Sequence, residues 1–356
     1  MEFDATHSWP MHDSRQRRSE QHMKNPPARV QMADVARAAG VARVTVSRVI
    51  SAPATVAPKT RAAVEAAIAR LGFVPNLNAG TLASRRSNIV GALVPTLSNS
   101  WFADTMDGLA ATLSNAGYQL LLGQTRYDEE EARRLVSAFI GRRVDAIVLT
   151  GTRHGSAIET MLARAGIPVI ECWDLTDTPI DTVVGFSNTD AGAAVARHLV
   201  ARGCRNLGFI GADEDRSNQR LQGFRETALA LSGKDVAVHR VAPPSSIDDG
   251  ARGAALLMSR QPRLDGVFCS NDTLALGALL AARREGWPVP ARMAVVGFSD
   301  LPVAAASVPA LTTVRIDSRA LGVRVGELLA QRLRGAVPDD KRIHDLGFSL
   351  IVRESA

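Results

Sequence analysis

From residue 88 onward the chain alternates short apolar runs with amphipathic stretches of helix length, and no other feature restricts its fold so tightly. The apolar runs are NIVGALVP (88–95), YQLLLG (118–123), DAIVLTG (145–151), IPVIEC (167–172), TVVGF (182–186), NLGFIG (206–211), GVFCSN (266–271) and AVVGF (294–298). Helical patterns lie between them, over 102–115, 129–140, 189–202, 218–231, 248–260 and 272–285. Strands that are apolar almost throughout are buried on both faces, as in a parallel sheet covered by crossover helices. The expectation is an α/β body of doubly wound parallel sheet. Roughly 270 residues is long for one such sheet. Two subdomains are therefore expected, 88–187 and 188–313, with the C-terminal segment 314–356 crossing between them.

The preceding residues follow other rules. Residues 1–27 are polar, end in Pro26-Pro27, and read as a disordered tail. Residues 28–73 read as a small all-α unit. MADVARAAG is a short helix stopped by Gly40, VTVSRVI is a second, and Pro58 opens a third that ends at Gly72. Residues 74–87 form a polar hinge. Charge singles out this region: the whole chain carries +6. Between 28 and 86, Arg29, Arg37, Arg43, Arg48, Lys59, Arg61, Arg70, Arg85 and Arg86 face only Asp34 and Glu65, a net of +7, while residues 1–27 sum to zero. A basic excess confined to a small helical unit points to a polyanion such as nucleic acid.

Several function classes are excluded. With 46% hydrophobic and 22% charged residues, the chain has ample material for a core, so disorder throughout is ruled out. Cys172, Cys204 and Cys269 are scattered, with no CxxC, which fits neither a disulfide scaffold nor zinc. No apolar run approaches the ~18 residues of a membrane-spanning helix. The N-terminal MEFDATHSWPMHDSRQRRSEQ lacks the apolar stretch of a secretory signal, so a cytoplasmic protein without a membrane partner is expected. There is no GxGxxG or GxxxxGK[ST], and GFSNT (185–189) and GFSDL (297–301) do not fit GxSxG. His154 and His198 are expected at the surface, with no metal-ligand spacing. No enzyme, cofactor or metal is expected.

The segment 31–50 carries the chemistry that suits a polyanion. Two short helices joined at Gly40 resemble a helix-turn-helix. Ala36 is small where the helices would cross, and Val35, Val41, Val46 and Val49 can pack. Thr45, Ser47 and Arg48 then project from the second helix, which suits a major groove with hydroxyls on phosphates and arginine on a base edge. A plain helical hairpin is the bland alternative.

Further motifs make the likeness specific. DVARAAGV (34–41), TVSRVI (45–50), KTRAAVEAAIARLGFVPN (59–76) and AGTLASRRS (79–87) resemble the headpiece and hinge of the LacI/GalR family of transcription regulators. GVFCSND (266–272), VVGFSD (295–300) and LTTVRID (311–317) extend the likeness into the body. GIPVIE (166–171), VVGFSN (183–188), HLVARG (198–203) and LDGVFCSNDTLALGA (264–278) carry a narrower likeness to gluconate-operon repressors. The resemblance implies a periplasmic-binding-protein-like body with an effector between its subdomains. It also implies a homodimeric repressor that a sugar-acid effector, gluconate-like or its phosphate, releases from a palindromic DNA operator. The family's tetramerising leucine heptad is not found before the final VRESA. By family position, Arg43, Val44 and Arg48 read bases, and Thr45, Ser47, Thr60 and Asn76 contact phosphates. Leu82 matches a hinge leucine that wedges into the minor groove and kinks the duplex. There are departures: Ala42 and Ala57 stand where capping hydroxyls are usual, at about 1 kcal/mol each. Gly80 lowers the hinge's helix propensity by about 1 kcal/mol.

Ligands of open α/β sheets sit beyond the carboxyl ends of the strands. Those ends gather Trp101, Phe102, Arg126, Trp173, Asp174, Arg220, Asn271 and Ser299, including two of the four tryptophans. Flat rings on a carbon skeleton, with amides and charges on hydroxyls, suit a polyol. By the resemblance, Arg220 and Asn271 match effector contacts, Trp101 and Phe102 match aromatic ones, and Ser299 replaces an Asp that clamps sugar hydroxyls in many relatives. Losing that carboxylate while keeping Arg220 favours an acid over a neutral sugar. The bland alternative pairs Arg220 with Asp213, Glu214 or Asp215. Two rival readings share the body: a co-repressor-dependent regulator and a sugar-binding receptor.

Overall fold

The computed structural model describes residues 30–74, 86–335 and 341–356. The expected tail, most of the hinge, Asn76 and Leu82 lie outside the described residues. The chain divides into two compact units, Met1–Ser84 and Arg85–Ala356.

The first unit is helical: α1 (Met32–Ala39), α2 (Arg43–Ser51), a 3-10 turn (Pro53–Thr55) and α3 (Pro58–Leu71). At the start of α1 the Asp34 carboxylate accepts from the Gln31 backbone N–H at 2.9 Å. Gly40 ends α1 at φ 65°, in the left-handed region that glycine enters without steric cost. Neither Ala42 nor Ala57 supplies a side-chain cap, as their sequence implies. Val35, Ala36, Val46, Val49, Val64, Ala67 and Phe73 form the core, with Val41 partly buried against it. The spacing of Val46 and Val49 puts one stripe of α2 inward and leaves the opposite face free.

The second unit holds two six-stranded sheets. The first comprises β1 (Ile89–Val94), β2 (Gln119–Gln124), β3 (Ala146–Thr150), β4 (Val169–Cys172), β5 (Thr182–Gly185) and β11 (Ile343–Asp345) in the order β11-β5-β4-β3-β1-β2, parallel throughout. The second comprises β6 (Leu207–Ala212), β7 (Ala237–Val241), β8 (Gly266–Cys269), β9 (Ala294–Ser299), β10 (Thr312–Arg315) and β12 (Ser349–Ile351) in the order β12-β10-β9-β8-β6-β7. Among the described residues, β12 is the one strand of this sheet that runs antiparallel to its neighbour. The chain passes between the sheets after β5, after β10 and after β11.

Helices α4 (Ser100–Asn115), α5 (Glu129–Gly141) and α6 (Ser156–Ala165) connect the first sheet, and α7 (Asn188–Ala201) leads to the second. Helices α8 (Asp215–Ser232), α9 (Ile247–Arg260), α10 (Asp272–Arg284) and α11 (Pro302–Ala306) follow, and α12 (Ser318–Leu333) returns to pack on α4. One close approach matters for the site. A Cβ on Gly192 of α7 would lie 2.0 Å from the Arg220 carbonyl oxygen of α8, and one on Gly223 1.9 Å from that of Thr189. Only paired glycines let these backbones meet, and Arg220 sits at the contact. Among the described residues, no helix is long and apolar enough to cross a membrane.

Candidate nucleic-acid interface and ligand cleft

On α2, Arg43, Val44, Ser47 and Arg48 are exposed, and Thr45 is partly buried. Positions four apart share a helix face, so 43 and 47, and 44 and 48, form one outward surface backed by buried Val46 and Val49. Val44 is 63% exposed, an apolar side chain held in solvent between two arginines. Among the described residues, Arg43, Arg48 and Lys59 have no carboxylate partner, whereas Arg37 pairs with Asp34 at 3.3 Å and Arg61 with Glu65 at 3.9 Å. Thr60, half-buried, lies in the first turn of α3 beside exposed Lys59. Forked donors, hydroxyls and an apolar contact on one accessible face are what base edges and phosphates require.

In the second unit, the carboxyl ends of both sheets open on one cleft with two chambers. The larger, about 440 Å³, is lined among others by Tyr127, Thr152, His154, Asp174, Glu214 and Arg216. The smaller, about 30 Å³, is lined by Trp101, Phe102, Trp173, Arg220, Asn271 and Ser299, with Phe298 and Ser270. Tyr127, Glu214 and Arg216 line both and so divide them.

The inner chamber is an aromatic box with two guanidiniums. Trp101, Phe102, Trp173 and Phe186 form a row of rings at centroid spacings of 5.8, 5.2 and 5.8 Å, the first contact tilted and the other two edge to face. The Arg216 guanidinium lies 5.2 Å from the Phe102 ring centre and that of Arg220 4.2 Å from Phe298, distances at which a cation gains from the ring face. Arg220 donates to Asn188 Oδ1 at 2.5 Å and reaches Glu214 at 3.4 Å, but its buried Nε has no partner. Burial pulls the Arg220 pKa down to about 10, which keeps it charged at neutral pH. Glu214 caps α8 by accepting from the backbone N–H of Ser217 and Arg216, and pairs with the Arg216 side chain at 3.0 Å. Burial opposes its charge, yet the two arginines and two amides outweigh burial and hold its pKa below the usual carboxylate value. Tyr127 is raised to about 12, chiefly by burial, and stays a neutral donor.

The neighbours fix these groups. Asp174 accepts from Thr152 Oγ1 (2.8 Å), Gln219 Nε2 (2.7 Å) and Asn188 Nδ2 (3.1 Å). Trp173 donates its Nε1–H to Thr105 at 3.1 Å. Asn271 caps α10 with its oxygen, accepting from Leu274 N–H at 2.9 Å, and turns its amide toward Ser245 at 2.9 Å. Backbone strain collects here too: Arg126, Tyr127, Trp173 and Ser299 have φ of 57°, 61°, 73° and 112°. Left-handed non-glycine residues cost about 1–3 kcal/mol each and cluster where ligands bind.

The structure thus brings together Trp101, Phe102, Trp173, Arg220, Asn271 and Ser299 around one chamber, with Asp174 adjoining through the larger one. It does not bring in Arg126, which is exposed and lines neither. Tyr127, the next residue, turns inward instead. Of the acids weighed as partners of Arg220, Glu214 is the one in reach; Asp213 pairs with Arg240 and Asp215 with Arg153. His154 is not a surface residue: its side chain is 10% exposed and lies 3.2 Å from buried Glu171. His198 is likewise half-buried. Among the described residues no cluster of His, Cys, Asp and Glu could hold a metal.

Comparison with known proteins finds relatives for both parts of the chain. Residues 31–76 match the profile of bacterial regulatory proteins of the lacI family, and residues 196–356 that of a periplasmic binding protein-like domain. The HTH-type transcriptional regulator GntR of Pseudomonas aeruginosa is 38% identical over 324 residues, 90% of this chain and 94% of that protein. Among solved structures, a LacI-family transcriptional regulator from Silicibacter pomeroyi superposes with a TM-score of 0.86 at 30% identity, over 92% of this chain and 99% of that one. The Lac repressor dimer bound to operator and the anti-inducer ONPF superposes at 0.80 with 26% identity, over 92% and 99%. With a relative this similar over nearly its whole length, the chain belongs to the LacI family and is a DNA-binding transcriptional repressor, not an enzyme.

Proposed function

We propose that this repressor acts in the cytoplasm as a homodimer on a palindromic operator and is released by a sugar acid, gluconate-like or its phosphate. Arg43, Val44 and Arg48 read base edges; Thr45, Ser47, Thr60 and Asn76 hold phosphates; and Leu82 wedges into the minor groove. Trp101, Phe102 and Trp173 stack on the carboxylate end of the acid's carbon skeleton. Arg220 grips its carboxylate, and Asn271 and Ser299 take the hydroxyl nearest to it. Filling the cleft changes the angle between the two sheets, and the paired hinges separate. Coupling of this kind is typically about 1–3 kcal/mol, or 5- to 150-fold in affinity.

The observation that carries the acid effector is Arg220 itself. A buried guanidinium with an unpartnered Nε, in an aromatic chamber, is costly to keep unless a ligand completes it. Supporting it, the relatives of this chain include regulators named GntR. The test begins by selecting bound sequences from a random duplex pool. The selected sites should be inverted repeats, and D-gluconate should weaken binding to them at least fivefold. Asymmetric sites, or gluconate that leaves binding unchanged or strengthens it, would overturn the proposal.

A further inference from the structure

The cleft is polarised in charge along its depth. Its buried end holds Arg216 and Arg220, both 7% exposed, with Glu214 between them. Its open chamber is ringed by Asp128, Glu129, Asp174, Asp213, Glu214 and Asp215, against the cations Arg153 and Arg216. Asp213 and Asp215 are matched, by Arg240 at 2.8 Å and Arg153 at 3.6 Å. Asp128 is spent on capping α5, where it accepts from Glu131 N–H at 2.6 Å, and among the described residues neither it nor Glu129 meets a cation. The open end therefore presents two unneutralised carboxylates side by side.

Size follows the same gradient. The inner chamber, about 30 Å³, has room for little more than one water-sized group. A planar carboxylate can enter edge-on toward the free Arg220 Nε; a tetrahedral phosphoryl group is larger and carries about −1.5 to −2 at neutral pH. The larger chamber, about 440 Å³, takes a polyhydroxyl chain, whose protons its carboxylates can accept in charge-assisted hydrogen bonds.

Resting on the sugar-acid reading above, we infer that the effector is an unphosphorylated sugar acid, carboxylate inward on Arg216 and Arg220 and hydroxyl tail outward among the rim carboxylates, and that the cleft rejects the same acid bearing a terminal phosphate. A phosphate at the far end of the chain would lie against Asp128 and Glu129. Turning the ligand round would put the dianion into a chamber too small for it and the carboxylate against the acidic rim. Neither pose is compatible with the charges present.

Calorimetry on the full chain at constant ionic strength tests this, with D-gluconate, 6-phospho-D-gluconate and D-glucose as probes. Gluconate should bind at least tenfold more tightly than 6-phosphogluconate. The double variant Asp128→Asn/Glu129→Gln keeps an Asn cap on α5, removes both rim charges, and should narrow that ratio at least fivefold. If 6-phosphogluconate binds the native chain as tightly as gluconate, the polarity inference falls while the sugar-acid reading stands. A tenfold preference that the double variant leaves unchanged overturns the rim as its cause. Glucose binding more tightly than both acids, or no acid binding at all, overturns the sugar-acid reading and this inference with it. The native comparison stands even if the double variant fails to fold.

Discussion

Gly192→Ala is the substitution whose effect can be worked most directly from the backbone. The new Cβ would lie 2.0 Å from the Arg220 carbonyl oxygen and 2.9 Å from both the Arg220 carbonyl carbon and the Phe224 nitrogen. A carbon–oxygen contact relaxes only at about 3.3 Å, so α7 and α8 must separate by more than an ångström. No flexible side chain can yield instead, because every atom met is main chain. The displaced turn carries Phe224, which is fully buried and packs on Phe209 and Phe268 at 6.3 and 5.2 Å. Overpacking of this kind costs about 1–3 kcal/mol, offset by about 1 kcal/mol of helix propensity gained from Ala. A net loss near 1 kcal/mol, and at most about 2, is expected, read by urea denaturation. The turn also carries Arg220, whose 2.5 Å bond to Asn188 cannot survive such a shift, so gluconate affinity should fall about tenfold. Gly141→Ala is the control: a Cβ there meets nothing within 4 Å, and stability should rise by up to about 1 kcal/mol from the same helix propensity. If Gly192→Ala proved as stable as that control, the close approach of α7 and α8 would not constrain the fold as argued.

Three further outcomes are expected. Arg43→Ala should relax sequence preference at one operator position by about 1–3 kcal/mol, measured on single-base operator variants; retained preference would remove Arg43 as a base reader. Arg220→Met should raise the gluconate dissociation constant 10- to 100-fold, since a charge-assisted bond is worth about 1.5–3 kcal/mol, and unchanged calorimetric affinity would refute its role. Asp272 is held at about 6, mainly by burial and then by the nearby Asp300 charge, against the Thr313 bond at 2.6 Å that favours ionisation. The native state therefore keeps this proton to a higher pH than the unfolded chain. Stability should fall as pH rises from about 4 to about 6, by at most about 3 kcal/mol, and Asp272→Asn should flatten that slope in denaturation at pH 4.5, 5.5 and 7.

Much of the fold was legible because its signals are strong and local. Gly40, Pro58 and Gly72 mark the ends of the headpiece helices, and the eight long apolar runs all became strands. Several of the elements that escaped had weak local signals. β7, AVHRV, is a half-buried edge strand interrupted by His239 and Arg240. β10, β11 and β12 have three or four residues each, too few for a period to show. α12 carries Gly322 and Gly326, which disfavour helix in isolation. Its reason lies elsewhere: a Cβ on Gly322 would meet the Thr105 carbonyl oxygen of α4 at 1.9 Å. Tertiary contact, invisible along the chain, selects those glycines.

The cleft shows a sharper limit. Membership was legible, because the rule that ligands sit at strand carboxyl ends is topological and needs no exact boundaries. Orientation was not. The helical pattern starts at 218, but α8 begins at Asp215. That shift makes Glu214 the cap, turned inward onto its own helix's amides, and leaves Asp213 and Asp215 to surface arginines. It also places Arg216 and Arg220 four residues apart on one face, so two guanidiniums share the chamber where one was foreseen. The same holds at Arg126 and Tyr127, where consecutive left-handed residues send the first side chain to solvent and the second to the site. A signal for the arginine pair did exist in DRSNQR (215–220), once that stretch is taken as a first helical turn behind an acidic cap. Three successive acids look interchangeable until the helix boundary is known, and then the single position of Glu214 sets the charge of the chamber and with it the class of ligand it can take.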